Sequence, residues 1–257
     1  MEAKIVLCDL GGTVVDVNHI AYVTQELGIS NIILSGFTNG LTFNPKDKMF
    51  AALTKIDPTP VTVTHGSTPL PKIYADWMAG LYQDAEQTRT MILDKIDQFQ
   101  REGFFASTYE YRVVRNAIEP MFTPEKLVKH QRGIEPMLQL LERIDRNKHT
   151  IVIVSNWDPH SYRLFLESDL GKRLLRLASH DHMIVSGYIG SNKPHTEFYQ
   201  EVFKRYGDPK DTEYVFIDNE LVNIKAARDH GILSLHYLGD HAQMEQSLID
   251  QGILMPQ

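Results

Sequence analysis

The chain of 257 residues carries a net charge of −7 at pH 7, with 42% hydrophobic and 23% charged residues, which is the composition of a globular protein with one large or two modest domains. Negative charge without a basic cluster argues against nucleic acid and anionic membranes as main partners. Apolar runs are too short to span a bilayer, no signal-like leader precedes the first predicted strand, and the single cysteine, Cys8, excludes a disulfide framework. We therefore expect a cytoplasmic protein.

A buried strand is predicted over residues 4–8, where an apolar run leads directly into Asp9. Gly11 and Gly12 follow at once and predict a tight turn. Ligands bind at the carboxyl edge of an open α/β sheet, and glycine lets the backbone approach a ligand closely. Asp9 is thus a candidate site residue, and the ordinary alternative is an acid that caps the next helix. We expect Cys8 to be a packed core residue.

The next hundred residues lose the alternation of strand and helix, which indicates an inserted module. The pattern predicts a short helix over 19–28, an unassigned apolar segment over 31–41, a Pro-, Thr- and Gly-rich loop over 57–71, a helical pair or one interrupted helix over 73–99, and a helix over 109–118. We therefore assign residues 17–129 to a largely helical module, and residues 1–16 and 130–257 to the main domain.

From Gly133 onwards helices and strands alternate clearly. Helices are predicted over 135–146, 161–170, 196–206 and 221–230, and strands over 151–154, 183–185, 214–217 and 233–237. This succession predicts an α/β fold with a doubly wound parallel sheet and helices on both faces.

Polar residues follow three of the predicted strands and should meet at one edge of the sheet. These residues are Asp9, the pair Ser155 and Asn156, and Asp218, while Lys193 stands just ahead of a helix. Two acids, a hydroxyl–amide pair and a cation suit phosphoryl transfer through a carboxylate nucleophile. Each also has an ordinary interpretation, as a helix cap, a solvated lysine or a turn acid.

Four short segments carry the candidate site residues, in the following order along the chain. They are Asp9-Leu10-Gly11-Gly12-Thr13, Ser155-Asn156, Lys193-Pro194 with Phe198 and Tyr199, and Phe216-Ile217-Asp218-Asn219-Glu220-Leu221-Val222-Asn223. Together they resemble the four motifs of the haloacid dehalogenase superfamily of aspartate-nucleophile phosphohydrolases. The resemblance covers residues 1–16 and about 130–240, and the inserted module lies where that family places its helical C1 cap domain.

The resemblance implies a role for each matching residue. Asp9 would be the nucleophile that becomes an aspartyl phosphate, and Lys193 would neutralise Asp9 and the phosphoryl group. Ser155, the amide of Asn156 and Thr13 would bind the substrate. The implied activity is a Mg²⁺-dependent hydrolysis of a small phosphorylated metabolite.

The same resemblance implies the Mg²⁺ ligands, and the chain departs from the family pattern at two positions. Oxygen atoms of Asp9, Asp218 and the Gly11 carbonyl would hold the ion. Gly11, however, stands where the family usually has a second Asp, which protonates the leaving group and activates water, although a branch of sugar-phosphate phosphatases also has Gly there. Asn219 likewise replaces a common second acid of the fourth motif. Candidates to replace the acid at position 11 are Asp16, Asp158 and Glu220.

Three functions remain open at this point. The first is the Mg²⁺-dependent phosphatase, in which the cap excludes water and selects the substrate. The second is a weak or inactive member that binds a phosphorylated ligand or a protein partner. The third is a dehalogenase that uses Asp9 and no metal. The expected partner is a small phosphorylated substrate, the oligomeric state is left open, and His180 and His182 are assigned to a surface loop rather than to a metal site.

Overall fold

The computed structural model describes residues 2–18, 25–26, 44–66 and 68–256. Apart from residues 25 and 26, the predicted helix over 19–28 lies outside the described residues, as does the segment over 31–41. In the described parts of the chain, no helix is long and apolar enough to cross a membrane.

The structure contains short strands and many helices in the described ranges. The strands are β1 Ile5–Cys8, β2 Val15–Val17, β3 Thr64–His65, β4 Thr68–Pro69, β5 Gln131–Gly133, β6 Thr150–Ser155, β7 Met183–Val185, β8 Tyr214–Asp218 and β9 Leu233–His236. The helices are α1 Pro45–Ile56, α2 Lys72–Met78, α3 Ala85–Arg101, α4 Thr108–Met121, α5 Pro124–Lys129, α6 Glu135–Glu142, α7 Pro159–Glu167, α8 Asp169–Leu177, α9 Ser186–Ile189, α10 Thr196–Tyr206, α11 Leu221–Asp229 and α12 His241–Asp250.

Five parallel strands form the central sheet, in the order β7-β6-β1-β8-β9. Alternate residues of β1 face opposite cores: Val6 and Cys8 pack in one cluster and Leu7 in the other. Residues of α6, α7, α8 and α12 cover the first face, and residues of α10 and α11 cover the second. A strand buried on both faces must be apolar throughout, so the predicted doubly wound α/β fold is confirmed.

The described part of the inserted module is largely helical. Side chains of α1 to α4 pack around a separate core that includes Trp77, Ile96 and Ile118. The helical pair predicted over 73–99 is α2 and α3, whereas α1 was not predicted and the loop over 57–71 contains the hairpin of β3 and β4. Helix α4 continues to Met121, with Pro120 in its last turn. The exact boundaries of the two domains stay a prediction.

Two predicted helices of the main domain differ from the structure. The helix predicted over 161–170 is two helices, α7 and α8, because the Ser168 side chain accepts a hydrogen bond from the Gly171 amide and caps a new helix. The helix predicted over 135–146 ends at Glu142, and α12 was not predicted. Strands β2 and β5 pair antiparallel. The two segments in which the chain passes between the main domain and the inserted module therefore lie side by side.

Candidate active site

The sheet register brings the predicted strand-end residues to one edge. Cys8 of β1 lies beside Ile153 of β6 and beside Ile217 of β8. The residues that follow, among them Asp9, Ser155 and Asp218, therefore leave the sheet at neighbouring positions. The packed core position expected for Cys8 is confirmed, since its thiol is free and buried.

Lys193 joins the two acids. Its Nζ donates to Asp9 Oδ1 at 2.6 Å, to Asp218 Oδ2 at 2.7 Å and to the Val154 carbonyl at 3.0 Å. Asp9 is only 6% exposed, Lys193 is 1% exposed and Asp218 is fully buried. An ammonium has three protons, and all three are used here. The structure thus places one cation between two buried carboxylates.

Burial controls the protonation of this cluster. Loss of hydration raises the pKa of Asp9 to about 7; Lys193 lowers it and the nearby Asp218 raises it further. Burial alone would lower the pKa of Lys193, but the two carboxylates raise it above its ordinary value. When both carboxyl groups are ionised, they and the one ammonium carry a net negative charge, which suits an additional cation.

The predicted phosphate-binding residues lie beside this cluster. The Asn156 side chain donates to the Lys193 carbonyl at 2.8 Å and accepts from the Lys193 amide at 2.8 Å, so it fixes the loop that carries the lysine. Ser155 is buried at the end of β6. Thr13 is also buried, and its hydroxyl donates to the Asn219 side chain at 3.4 Å. The roles of these residues in binding phosphate stay a prediction.

Asp218 is held by residues that the sequence interpretation did not single out for this purpose. The Asn223 side chain donates to both Asp218 oxygens, at 3.3 and 3.1 Å, and the Glu220 amide donates to Asp218 Oδ1 at 2.7 Å. Asn223 lies in the first turn of α11, five residues after Asp218. The sequence signal for this contact is a polar residue five positions after the acid that ends a strand.

The turn after Asp9 leaves a backbone oxygen open. The amides of Thr13, Val14 and Val15 all donate to the Leu10 carbonyl, so within this described turn they leave the Gly11 carbonyl unused. Gly12 has φ of +78°, and a Cβ there would lie 2.5 Å from the Asn219 side-chain nitrogen, so any other residue would be strained at this position.

These oxygens fit a hard divalent cation. Two carboxylates contact one ammonium, and the Gly11 carbonyl, two residues after Asp9, accepts none of the backbone hydrogen bonds of the described turn. Mg²⁺ commonly keeps several waters besides one or two protein carboxylates. Within the described ranges, no cluster of three or more His, Cys, Asp or Glu residues offers an alternative metal site.

All three candidates for the replacement acid form hydrogen bonds or ion pairs with other residues. Asp16 accepts from the Val17 amide at 2.8 Å and pairs with Arg132 at 3.0 Å. Asp158 is buried and caps α7 by accepting from the Ser161 amide at 2.8 Å. Glu220 is bound by the inserted module.

A hairpin of the inserted module fastens to Glu220. The Thr64 hydroxyl donates to Glu220 Oε2 at 3.0 Å, and the Gly66 amide donates to Oε1 at 2.7 Å. The ring of His65 lies 3.8 Å from the same carboxylate. Since the Glu220 amide also holds Asp218, this hairpin is linked through one residue to the site carboxylate.

The loop that carries Lys193 makes a second connection to the inserted module. His195 Nε2 and the Thr62 hydroxyl form a hydrogen bond of 3.0 Å. The Asn192 side chain donates to the Ala75 carbonyl of α2 at 2.7 Å. The inserted module is therefore attached beside both Lys193 and Asp218, a role that the sequence pattern did not reveal.

We expect Glu220→Gln to destabilise the protein by about 1–2 kcal/mol, because hydrogen bonds to a charged acceptor are stronger than those to a neutral one. Urea unfolding measures the change. Glu167→Gln, at an exposed acid of α7, is the matched control and should change stability by less than about 0.5 kcal/mol. Equal effects of the two substitutions would show that the contacts with Thr64 and Gly66 do not contribute.

Comparisons with known proteins show the family and the fold of this chain. The model of the haloacid dehalogenase-like hydrolases matches residues 3–231. No curated protein matches the sequence. A haloacid dehalogenase (HAD) family enzyme from Bacteroides thetaiotaomicron, also solved as a magnesium complex, has a TM-score of 0.56 at 18% identity, covering 95% of this chain and 98% of that one.

Two further solved structures show the same fold. A HAD family hydrolase from Deinococcus radiodurans with bound phosphate and sodium has a TM-score of 0.55 at 17% identity, covering 99% of each chain. The L-2-haloacid dehalogenase from Xanthobacter autotrophicus, with chloropropionic acid covalently bound, has a TM-score of 0.52 at 15% identity, covering 98% of this chain and 85% of that one. Because these identities are low, the solved structures show only a shared fold. The family model, in contrast, matches most of the sequence. The chain belongs to the haloacid dehalogenase-like hydrolases.

Proposed function

We propose that this hydrolase is a Mg²⁺-dependent phosphohydrolase of a small phosphorylated metabolite, with Asp9 as the nucleophile. The observation that carries the proposal is the buried cluster in which Lys193 contacts both Asp9 and Asp218, at 2.6 and 2.7 Å. A phosphohydrolase needs a carboxylate that attacks, a cation that lets two anions meet, and a second carboxylate for a metal. Neighbours solved with magnesium or with phosphate support this choice within the family.

The protein residues have separate tasks in the proposed reaction. Asp9 attacks phosphorus and becomes an aspartyl phosphate, which water then hydrolyses. Lys193 keeps Asp9 in place and offsets the charge of the approaching phosphoryl group. The hydroxyl of Ser155 and the amide of Asn156 hold phosphoryl oxygens, and the inserted module limits access of water.

Mg²⁺ would be held by Asp9, Asp218 and the Gly11 carbonyl, and it would supply neutralisation of the phosphoryl charge. Asp218 is the residue that favours a phosphohydrolase over a metal-free dehalogenase. Its carboxylate is fully buried and oriented by Asn223, as a carboxylate that positions a cation must be.

Mg²⁺ affinity should decrease as the pH falls below about 7, by as much as about tenfold per pH unit. Burial raises the pKa of Asp9 to about 7, so below that pH a proton competes with the cation for the same oxygen atoms. Above it the affinity should level off. Calorimetric titration with MgCl₂ across this range measures the dependence, and constant affinity through the acid range would contradict the assignment of Asp9 as a ligand.

The direct test is hydrolysis of p-nitrophenyl phosphate with Mg²⁺, with EDTA, and by Asp9→Asn. We expect turnover that requires Mg²⁺ and that Asp9→Asn abolishes, because an amide is not a nucleophile for this step. Glu167→Gln, at the exposed acid of α7, controls for loss of a carboxylate as such; a variant that fails to fold is recognised by circular dichroism.

The other outcomes of this assay support other functions. Phosphate or substrate binding without turnover would support the inactive binding protein. Halide release from 2-chloropropionate in EDTA, without phosphatase activity, would support the dehalogenase. Either result would contradict the proposed phosphohydrolase.

A further inference from the structure

A buried hydroxyl of the main domain lies between the inserted module and the loop that follows β6. Ser186, the first residue of α9, is fully buried. Its Oγ accepts from the Trp157 amide at 2.9 Å and donates to the Met78 carbonyl of α2 at 2.6 Å. A hydroxyl has one proton and two lone pairs, so it can make both bonds at once. Ser186 therefore connects α2 of the inserted module to the residue that follows Asn156.

The carboxyl end of α2 needs such a partner, because the last four carbonyls of an α-helix accept no hydrogen bond from within the helix. The amides of Gly80 and Leu81, just beyond α2, satisfy two of these carbonyls. The Met78 carbonyl is satisfied by Ser186 instead, a residue outside the inserted module. Removal of this hydroxyl would take a hydrogen bond from each of the two domains.

The backbone groups of Trp157 are both bound by α9. The amide donates to Ser186 Oγ, and the carbonyl accepts from the Gly187 amide at 3.1 Å. Asn156 directly precedes Trp157, and its side chain is bound to the backbone of Lys193. The backbone on the carboxyl side of Asn156 is thus fixed by α9, and it adjoins the amide that holds a phosphoryl oxygen in the proposed reaction.

Two glycines let three backbone segments pack directly against one another at this point. A Cβ at Gly187 would lie 2.6 Å from the Pro159 nitrogen and 2.7 Å from the Trp157 carbonyl oxygen. Gly80 has φ of +70°, and a Cβ there would overlap the Gly187 carbonyl oxygen. The end of α2, the start of α9 and the loop after β6 therefore form one close-packed column, in which a shift of one segment displaces the next.

We propose that Ser186 is a positioning residue for phosphate binding, which transmits the position of the inserted module to the backbone beside Asn156. The inference rests on the proposed phosphohydrolase function, since it concerns the loop that holds the phosphoryl group. Ser186 bonds to the Met78 carbonyl only while α2 lies against α9, so the loop is fully fixed only with the inserted module in place. Such a loop binds the phosphoryl group equally in the substrate and in the transition state, so loosening it raises KM and leaves kcat nearly unchanged.

The test measures KM and kcat for p-nitrophenyl phosphate and the Ki of inorganic phosphate, using the Mg²⁺-loaded protein and subtracting the rate with Asp9→Asn. In Ser186→Ala we expect KM and Ki to rise together by about fivefold, which corresponds to the loss of about one neutral hydrogen bond. We expect kcat to change by less than about twofold. Ser234→Ala is the matched control, since Ser234 is also buried and its hydroxyl donates to the Ile232 carbonyl at 3.0 Å within one short segment. It should leave all three values unchanged.

A second pair of variants perturbs the same column from the inserted module. Gly80→Ala would place a methyl group against the Gly187 carbonyl, whereas a Cβ at Gly103, a glycine with a similar φ of +75°, meets nothing within 4 Å. Both substitutions carry the cost of the left-handed conformation, so the difference between Gly80→Ala and Gly103→Ala reports the contact with α9. We expect Gly80→Ala to raise KM and the Ki of phosphate together, and Gly103→Ala to change neither.

The outcomes separate this inference from the proposed function. Unchanged KM and Ki in Ser186→Ala, with or without a fall in kcat, would overturn the positioning role, while Asp9-dependent turnover would leave the phosphohydrolase intact. Equal effects of Gly80→Ala and Gly103→Ala would overturn the transmission from the inserted module. If the wild-type protein shows no Asp9-dependent turnover, the proposed function is overturned instead. Calorimetric titration with phosphate then tests Ser186 alone, and equal affinities of the wild-type protein and Ser186→Ala would overturn its role.

Discussion

Lys193→Met should destabilise the metal-free protein by about 3–5 kcal/mol at mildly alkaline pH, because two buried carboxylates would then face each other without a cation. Asp9 and Asp218 both lie within 2.7 Å of the lysine Nζ. Because methionine preserves much of the side-chain volume of lysine, the loss of stability reports the removal of the charge rather than the creation of a cavity. Urea unfolding in EDTA measures it.

The pH dependence of this loss identifies its cause. Without the ammonium, the two carboxylates bind protons more tightly in the folded protein than in the unfolded chain, so stability should rise as the pH is lowered. The difference from the wild-type protein should therefore shrink towards about pH 5. Lys172→Met, at an exposed lysine of α8, is the control and should have a small effect at every pH. A loss of stability that stays constant with pH would show that altered packing, and not charge, causes it.

Gly11→Asp should raise kcat/KM for alkyl phosphates such as glucose 6-phosphate by about 10²–10⁴-fold, which is the usual contribution of a positioned general acid. A Cβ at Gly11 meets no atom within 4 Å, and the residue does not require the left-handed conformation found at Gly12. The substitution should therefore be accepted without a change of the turn. Acetyl phosphate should gain little, since its leaving group needs no proton.

Gly11→Asn is the matched control for this experiment, since it fills the same space without an exchangeable acid proton. It should leave the preference between the two substrates unchanged. If Gly11→Asn and Gly11→Asp raise the alkyl phosphate rate equally, the missing proton donor is not what limits the wild-type protein.

The main strands could be predicted because strands buried on both faces have a simple sequence signal. In β1, β6 and β8, continuous apolar runs end directly before or at a polar residue. Once the strands are taken as parallel, Asp9, Ser155 and Asp218 must share an edge. The contact between Lys193 and Asp9 joins residues 184 positions apart. From the residues alone, Lys193 could be inferred only as one of several groups that together suit phosphoryl transfer, and not as a direct contact of Asp9.

The attachment of the inserted module could not be predicted in the same way. Strands β3 and β4 have two residues each and lie in a stretch without a hydrophobic period. Their position depends on hydrogen bonds to Glu220, which the sequence presents only as one more acid after a strand. Helix α1 did carry start signals, since Asn44 caps it and Pro45 occupies its first turn, but its apolar face is weakly marked.

The central claim is that Asp9 attacks phosphorus, and trapping the covalent intermediate tests it most directly. The Mg²⁺-loaded protein would be mixed with acetyl phosphate carrying a radiolabelled phosphoryl group, quenched in acid during turnover, digested and mapped by mass spectrometry. We predict label on the peptide that contains Asp9, with none in Asp9→Asn. Label on a different residue, or turnover without any labelled protein at the earliest quench times, would contradict the account.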